Sequence, residues 1–206
     1  MGVDRKPVSA PAFWDNLYAQ GQDGWELSEA APGLLAWLDA GGRLGDRGAR
    51  VAVPGCGRGH DVRLLARRGY RAVGFDFATA AVQEARFLAA GEGVDAAFEQ
   101  RDIFSLPADY RGAFDAAWEY TCFCAIDPAR RAEYVGVLHA ILKPGGTLLG
   151  CFYPLRDGND GPPFPVARAE IEALLAPGFR IVESAVPAAS VERRRGLEWL
   201  IRAVRG

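Results

Sequence analysis

The sequence lacks several features that would assign it to a common class of protein. It has no run of about 18 apolar residues, and its first 20 residues hold no apolar signal-peptide core, so we expect neither membrane insertion nor export. The formal net charge is −2 and no basic stripe is visible, which disfavours nucleic acid and anionic membranes as partners. These absences indicate a cytoplasmic protein.

Metal-binding and redox motifs are also missing. The four cysteines form no Cys-x-x-Cys pair, and the two histidines, His60 and His139, lie far apart in the chain. A zinc site therefore has no support from ligand spacing, and we interpret the cysteines as reduced, buried thiols. The cysteines are Cys56, Cys122, Cys124 and Cys151.

The composition is that of an ordinary globular chain. Of its 206 residues, 50% are apolar and 24% are charged, and no internal repeat is present. This length suits one domain. We expect residues 1–45 to form an N-terminal helical lid segment and residues 50–206 to form the core. No large exposed apolar helix face stands out, so a monomer is expected.

The most informative stretch runs from Arg50 to Asp76. It consists of an apolar strand, a glycine loop (Gly55, Gly57, Gly59), a helix, and a second apolar strand that ends in Asp76. A glycine loop between strand and helix lets a ligand approach bare backbone beside the positive end of the helix. A carboxylate 21 positions after the first glycine can accept both hydroxyls of a ribose. The pattern predicts a nucleoside-binding βαβ unit.

Alternation of helices and strands continues to Tyr153 and predicts a parallel sheet with helices on both faces. The last two strands have no helix between them and should pair as an antiparallel hairpin. The predicted fold class is α/β, with a Rossmann-like, seven-stranded, mostly parallel sheet. The predicted strands are 51–54, 70–76, 95–99, 114–120, 147–153, 179–186 and 197–204. A loop with Pro107 and Gly112 precedes strand four, turns are expected at 143–146 and, exposed to solvent, at 193–195, and a long loop at 156–166.

Polar residues follow the predicted strands at the edge where ligands bind in such sheets. Asp102 follows strand three, where its carboxylate can accept the amino group of an adenine while Ile103 packs on the ring. Tyr120 ends strand four. One acid for a ribose and one for a base describe a single adenosine. A nicotinamide dehydrogenase is disfavoured, because His60 replaces the third glycine of its loop. Either aspartate alone can instead be a helix or turn cap.

Two tryptophans precede the first strand. Trp14 and Trp25 can staple the N-terminal segment onto the sheet, or they can close a lid over the ligand with their indole faces against it. The two interpretations are compatible.

Taken in order, the motifs VPGCGRGHD, GFD, RDIF, FDAAWEYTCFCAIDP, LKPGGTL, and FYP with DGNDGPPF resemble the thiopurine methyltransferase-like family. These are class I S-adenosylmethionine-dependent methyltransferases, and the thiol/halide methyltransferase branch is the most similar. The resemblance covers Phe13 to about Val166. It departs from the family pattern at Pro7–Pro11, which lacks a tryptophan, and at Glu119, where related chains often have Asp.

The resemblance implies S-adenosylmethionine as cofactor and a set of residues that bind it. It implies that the tryptophans pack on the cofactor, that Gly55 lies under its amino acid part, and that Tyr120 lies near the methionine part. Asp76 would hold the ribose, and Asp102 with Ile103 the adenine. The implied cofactor-binding residues are Trp14, Trp25, Gly55, Asp76, Asp102, Ile103 and Tyr120.

The implied reaction is methyl transfer to a small soft nucleophile such as a thiol, a halide or a related sulfur or selenium compound. Such acceptors need little acid-base help, so we assign no catalytic residue. His60 is a possible proton acceptor, although a local hydrogen bond is the commoner role. Cys122 and Cys124 are interpreted as packing. The alternatives are a non-catalytic sensor or scaffold that binds the same nucleoside and, less favoured, a nicotinamide-dependent oxidoreductase.

Overall fold

The computed structural model describes residues 7–158 and 160–206. Residues 1–6 of the expected lid segment lie outside the described residues. Within them the chain forms one seven-stranded sheet in the order β3-β2-β1-β4-β5-β7-β6. The strands are β1 (Arg50–Pro54), β2 (Arg71–Asp76), β3 (Ala97–Gln100), β4 (Phe114–Tyr120), β5 (Leu142–Phe152), β6 (Phe179–Ala185) and β7 (Trp199–Arg205).

Seven α-helices are present in the same described residues. They are α1 (Pro11–Ala19), α2 (Pro32–Asp39), α3 (His60–Arg67), α4 (Thr79–Gly91), α5 (Leu106–Tyr110), α6 (Arg131–Ile141) and α7 (Arg168–Leu175). None of the helices described is long and apolar enough to cross a membrane.

The strand directions confirm the predicted topology. Strands β1 to β5 pair in parallel, whereas β7 pairs antiparallel with both β5 and β6. The C-terminal hairpin is therefore present, but its reversed strand β7 is the inner one and β6 forms the edge. This order places the start of β7 beside the end of β5, close to the end of β4.

Helices cover both faces, as predicted, and α2 to α7 bury apolar side chains there. On one face Leu34 of α2, Val62 of α3 and Val82 of α4 pack with Val51 of β1. On the other face α5, α6 and α7 contribute a second cluster, which includes Leu106, Tyr134, Leu138 and Ile171. Strand β1 is buried on both faces, which explains why its sequence is almost continuously apolar.

Two local predictions were wrong. Residues 143–146 were expected to form a turn before strand five, but β5 already begins at Leu142. The pairing with β4 jumps from Phe114↔Leu142 to Ala116↔Thr147, so these residues form a bulge. Residues 106–110 were expected to be loop and instead form α5. Pro107 lies in its first turn, where proline is tolerated, and Leu106 is buried.

Candidate functional site

A cavity of about 1210 Å³ opens at the carboxyl ends of β1, β2 and β4. Its walls are the glycine loop, the lid segment, the residues after β3 and β4, and the loop at residues 161–164. All seven predicted site residues line this one cavity: Trp14, Trp25, Gly55, Asp76, Asp102, Ile103 and Tyr120. The structure thus brings together residues that are spread over more than 100 positions of the sequence.

The glycine loop needs its glycines for two reasons. Gly55 and Gly57 have φ angles of 61° and 52°, in the left-handed region that side chains disfavour. A Cβ atom on Gly55 would lie 2.7 Å from Cys122 Sγ, and one on Gly57 would lie 3.2 Å from the hydroxyl of Tyr18. The bare backbone of the loop therefore fits between the segment after β4 and the lid segment.

The carboxylate of Asp76 is buried and held by the loop it faces. Its Oδ2 accepts a hydrogen bond from the Gly57 amide at 3.0 Å, and Oδ1 accepts one from the Ala78 amide at 2.9 Å. Burial raises the pKa of Asp76 and outweighs these amides, which lower it. Each oxygen keeps a second lone pair, so the fixed carboxylate can accept two further hydroxyl groups.

Asp102 acts as a cap, which was the alternative interpretation of this residue. Its Oδ1 accepts a hydrogen bond from the Phe104 amide at 2.9 Å at the start of a short 3₁₀ turn. The residue is exposed and also lines the cavity, beside the half-buried Ile103. Capping fixes the carboxyl group at the mouth of the cavity, and its role toward an adenine stays a prediction.

The two tryptophans belong to one aromatic cluster. The rings of Trp14 and Trp25 meet edge to face at 5.3 Å, and Tyr18 meets Trp25 in the same way at 5.5 Å. Trp14 Nε1 donates to the carbonyl of Val8 at 2.8 Å. Because Trp14, Tyr18 and Trp25 also line the cavity, the cluster both holds the lid segment together and forms a wall of the site.

Charged groups tie the lid segment to the glycine loop. Arg58 pairs with Asp23, with Glu26 at 3.2 Å and with Glu84 at 2.7 Å. His60 Nε2 lies 2.8 Å from Glu26 Oε1. Burial raises the pKa of Glu26, but hydrogen bonds from His60, the Ser28 amide and Arg58 outweigh it and lower the pKa to about 2.

His60 makes the local contacts that were the commoner expectation. A guanidinium can only donate, so the contact of 2.8 Å between Arg63 Nη2 and His60 Nδ1 makes Nδ1 the acceptor. The Nε2 atom then carries the proton that faces Glu26. The accepting nitrogen is already occupied by Arg63, which leaves His60 poorly placed to accept a proton from a ligand.

The sequence interpretation of residues 193–195 was wrong for Arg194. A solvated turn was expected, but Arg194 is only 2% exposed, whereas Arg193 and Arg195 are exposed. Its guanidinium donates to the hydroxyl of Tyr120 at 2.5 Å and to the carbonyl of Trp25 at 2.7 Å. Three adjacent arginines give no signal of which one points inward.

Glu198 is a second residue that sequence reasoning missed. It is 2% exposed, and its Oε1 accepts a hydrogen bond from the Tyr120 hydroxyl at 2.7 Å. Tyr120 is therefore held by Arg194 on one side and by Glu198 on the other. Burial, more than any other cause, raises the pKa of Tyr120. Its hydroxyl is consequently a neutral phenol in the cavity wall.

Other buried carboxylates near the cavity support the backbone. Asp61 Oδ1 accepts from the Ala31 amide and Oδ2 from Trp118 Nε1, both at 2.7 Å, which joins the start of α2 to α3 and β4. Glu119 Oε1 accepts from the Phe123 amide at 2.8 Å, and its other oxygen accepts from the Tyr134 hydroxyl. Burial raises the pKa of Glu119 to about 7.

All four cysteines lie within the described residues as free thiols. Cys122 and Cys124 are buried in the protein and line the cavity. Burial raises the pKa of the Cys124 thiol to about 12, and that of Cys122 rises as well. A protonated thiol is a weak nucleophile, which agrees with a packing role.

Comparison with known proteins identifies the family. The model of the thiopurine S-methyltransferase family matches residues 9–205. The chain belongs to this family. It is 32% identical over 193 residues to probable thiol methyltransferase 2 of Arabidopsis thaliana and to thiocyanate methyltransferase 1 of Brassica oleracea, in each case covering 92% of this chain and 83% of the relative. Thiopurine S-methyltransferase of Pseudomonas aeruginosa strain UCBPP-PA14 is 29% identical, with coverages of 93% and 95%.

Solved methyltransferase structures share the fold. The 1,6-didemethyltoxoflavin-N1-methyltransferase of Burkholderia thailandensis, solved with S-adenosylhomocysteine, matches with a TM-score of 0.73 and 24% identity over 96% of this chain and 87% of that one. Magnesium protoporphyrin IX methyltransferase of Synechocystis PCC 6803, solved with S-adenosylmethionine, gives 0.66 and 20%, with coverages of 100% and 87%. Family and fold together confirm an S-adenosylmethionine-dependent methyltransferase.

Proposed function

We propose that this methyltransferase moves a methyl group from S-adenosylmethionine to a small, soft nucleophile of the thiol type inside the cavity described above. The observation that carries the proposal is the convergence of the glycine loop, the buried Asp76 and the aromatic cluster on one cavity. The family relatives named as thiol, thiocyanate and thiopurine methyltransferases support the acceptor class.

The residues at the sheet edge suit an adenosyl cofactor. Gly55 and Gly57 line the cavity without side chains where the amino acid part of the cofactor would lie, and Asp76 offers two oxygens to the ribose hydroxyls. Asp102 with Ile103 would bind the adenine, and Trp14, Trp25 and Tyr120 would surround the methionine part. When bound, the cofactor supplies a methyl group already activated by a positively charged sulfur.

The surrounding chain would then orient the two reactants and exclude water. His60, the possible proton acceptor, contacts Glu26 and Arg63. The Tyr120 hydroxyl is held by two partners. We therefore expect an acceptor that arrives as an anion or ionises readily, as a thiolate, hydrosulfide or halide does. No residue is assigned as a catalytic base.

The acceptor would enter between the lid segment and the loop after β5. Phe13 lines the cavity from one side, and Pro162, Pro163 and Phe164 line it from the other. The cavity volume of about 1210 Å³ exceeds the range of roughly 300–1,000 Å³ typical of one small-molecule site. There is thus room for an acceptor beside the cofactor, and for one larger than a halide ion.

We further propose that the protein works as a monomer in the cytoplasm. The reduced cysteines support the compartment, because a reducing environment keeps such thiols free. The oligomeric state is measured directly by light scattering coupled to size-exclusion chromatography.

Turnover against a panel of acceptors tests the proposal. The purified protein is supplied with S-adenosylmethionine and, separately, with aliphatic and aromatic thiols, thiopurines, thiocyanate, halides and selenium compounds. We expect methylated product with at least one thiol-type acceptor. Cofactor binding without turnover on any member of the panel would instead support a sensor or scaffold.

A further inference from the structure

Two buried charged side chains of the C-terminal hairpin contact a residue that lines the cavity. Arg194 lies in the connection between β6 and β7, and Glu198 lies directly before β7. Both are 2% exposed, and they carry opposite charges. Burying charges is costly unless they are paired and hydrogen-bonded, and the hydroxyl of Tyr120 connects these two.

The direction of each hydrogen bond follows from the chemistry of the groups. A guanidinium only donates and an ionised carboxylate only accepts. The Tyr120 oxygen therefore accepts a hydrogen bond from Arg194, and the Tyr120 hydroxyl donates one to Glu198. This arrangement fixes the position and the rotation of the hydroxyl at the tip of the Tyr120 ring.

Arg194 also reaches the lid segment. Its Nη2 atom donates to the carbonyl of Trp25 at 2.7 Å, while its guanidinium lies 5.2 Å from the ring centre of Tyr120 and 4.9 Å from that of Tyr153. Trp25, Tyr120 and Tyr153 all line the cavity. One side chain thus contacts the lid, the end of β4 and the segment after β5.

We propose that Arg194 and Glu198 are positioning residues for the methyl-transfer site. Glu198 fixes the side chain of Tyr120 in the cavity wall, and Arg194 couples this side chain to closure of the lid segment at Trp25. This inference rests on the function proposed above. Neither residue is assigned contact with the reacting atoms. Both act through Tyr120 and through the Trp25 backbone.

Hydrogen exchange of the full chain, without any added molecule, tests the coupling. In Arg194→Met we expect the amides of residues 20–29 to exchange at least about tenfold faster, the size expected when a charge-assisted hydrogen bond is lost. The amides of β1 should keep their protection to within a factor of about three. The matched control is Arg195→Met, the exposed neighbour, which should leave the exchange of residues 20–29 unchanged.

Further variants separate positioning from simple packing. Tyr120→Phe keeps the ring but removes both hydrogen bonds, so it should speed exchange of residues 20–29 by a smaller factor than Arg194→Met. The double variant Arg194→Met/Tyr120→Phe should speed the exchange of residues 20–29 by the same factor as Arg194→Met alone, because both changes break one hydrogen-bond network.

The role of Glu198 is tested by turnover. Glu198→Gln keeps a carbonyl that accepts a hydrogen bond from Tyr120, so it should retain more turnover than Glu198→Ala. The difference between the two variants should lie mainly in kcat.

The outcomes are distinct. Unchanged exchange at residues 20–29 in Arg194→Met would overturn the coupling, and so would faster exchange spread equally over β1, since that reports a general loss of stability. Additive effects of Arg194→Met and Tyr120→Phe would also contradict it. If the wild type methylates nothing while the exchange results hold, the proposed function fails and the coupling of lid and wall stands.

Discussion

The amide of Gly57 donates a hydrogen bond of 3.0 Å to Oδ2 of Asp76, so the glycine loop itself holds the carboxylate that we assign to the cofactor ribose. The loop after β1 and the end of β2 are thereby joined at the point where an adenosyl group would lie. This contact fixes the carboxylate at the cavity wall, and we expect changes at Asp76 to affect binding more than folding.

Asp76→Asn is expected to weaken binding of S-adenosylhomocysteine by roughly 1–3 kcal/mol, because the amide removes one acceptor and the negative charge. Asn keeps one oxygen for the Ala78 amide, so the free energy of unfolding should change less than binding does. Calorimetry and urea unfolding measure the two quantities. Asp39→Asn, an exposed carboxylate paired with Arg68, is the control. An unchanged dissociation constant would remove Asp76 from the site.

Trp25→Leu is expected to weaken cofactor binding and to slow turnover, because it removes an indole that both lines the cavity and packs on Trp14 and Tyr18. A loss of roughly 1–2 kcal/mol in binding is the size expected for an aromatic contact that also buries apolar area. The dissociation constant for S-adenosylhomocysteine measures it. Trp37→Leu changes a tryptophan outside the cavity lining and should leave that constant unchanged. Equal effects of the two substitutions would mean that the aromatic cluster is only a staple.

Glu119 should make the protein less stable as pH rises. Its pKa in the folded state is raised by burial from 4.5 to about 7, so the folded protein holds the proton more tightly than the unfolded chain does. The stabilisation is fully present below about 4.5 and is lost as pH rises toward about 7. Urea midpoints at pH 5 and pH 8 measure it, and Glu119→Gln should reduce the difference between them. A difference of the same size in the variant would show that another group is responsible.

The sequence alone could predict the elements that position the cofactor. Periodicity and glycine punctuation placed β4 at its observed bounds and β1 within one residue, and the spacing from Gly55 to Asp76 predicted a nucleoside-type ligand. These features are local, since each is written in a short stretch of the sequence. The Rossmann-like topology followed because crossover connections in parallel sheets leave few alternatives.

What the sequence could not predict depends on contacts between distant segments. Arg194 and Arg195 are identical in type and adjacent, and only the packing of β7 beside β5 decides that Arg194 turns inward to Tyr120. The inward position of Glu198 depends on the same packing of β7. The bulge at residues 143–146 also depends on a partner, because its register is set by β4.

The proposed function requires an adenosyl cofactor bound at this edge of the sheet. Titration of the wild-type protein with S-adenosylhomocysteine in a calorimeter measures this. We predict one site per chain with a micromolar dissociation constant, which corresponds to a binding free energy on the order of −8 kcal/mol. The absence of any binding heat at several temperatures, confirmed by unchanged tryptophan fluorescence, would contradict the account.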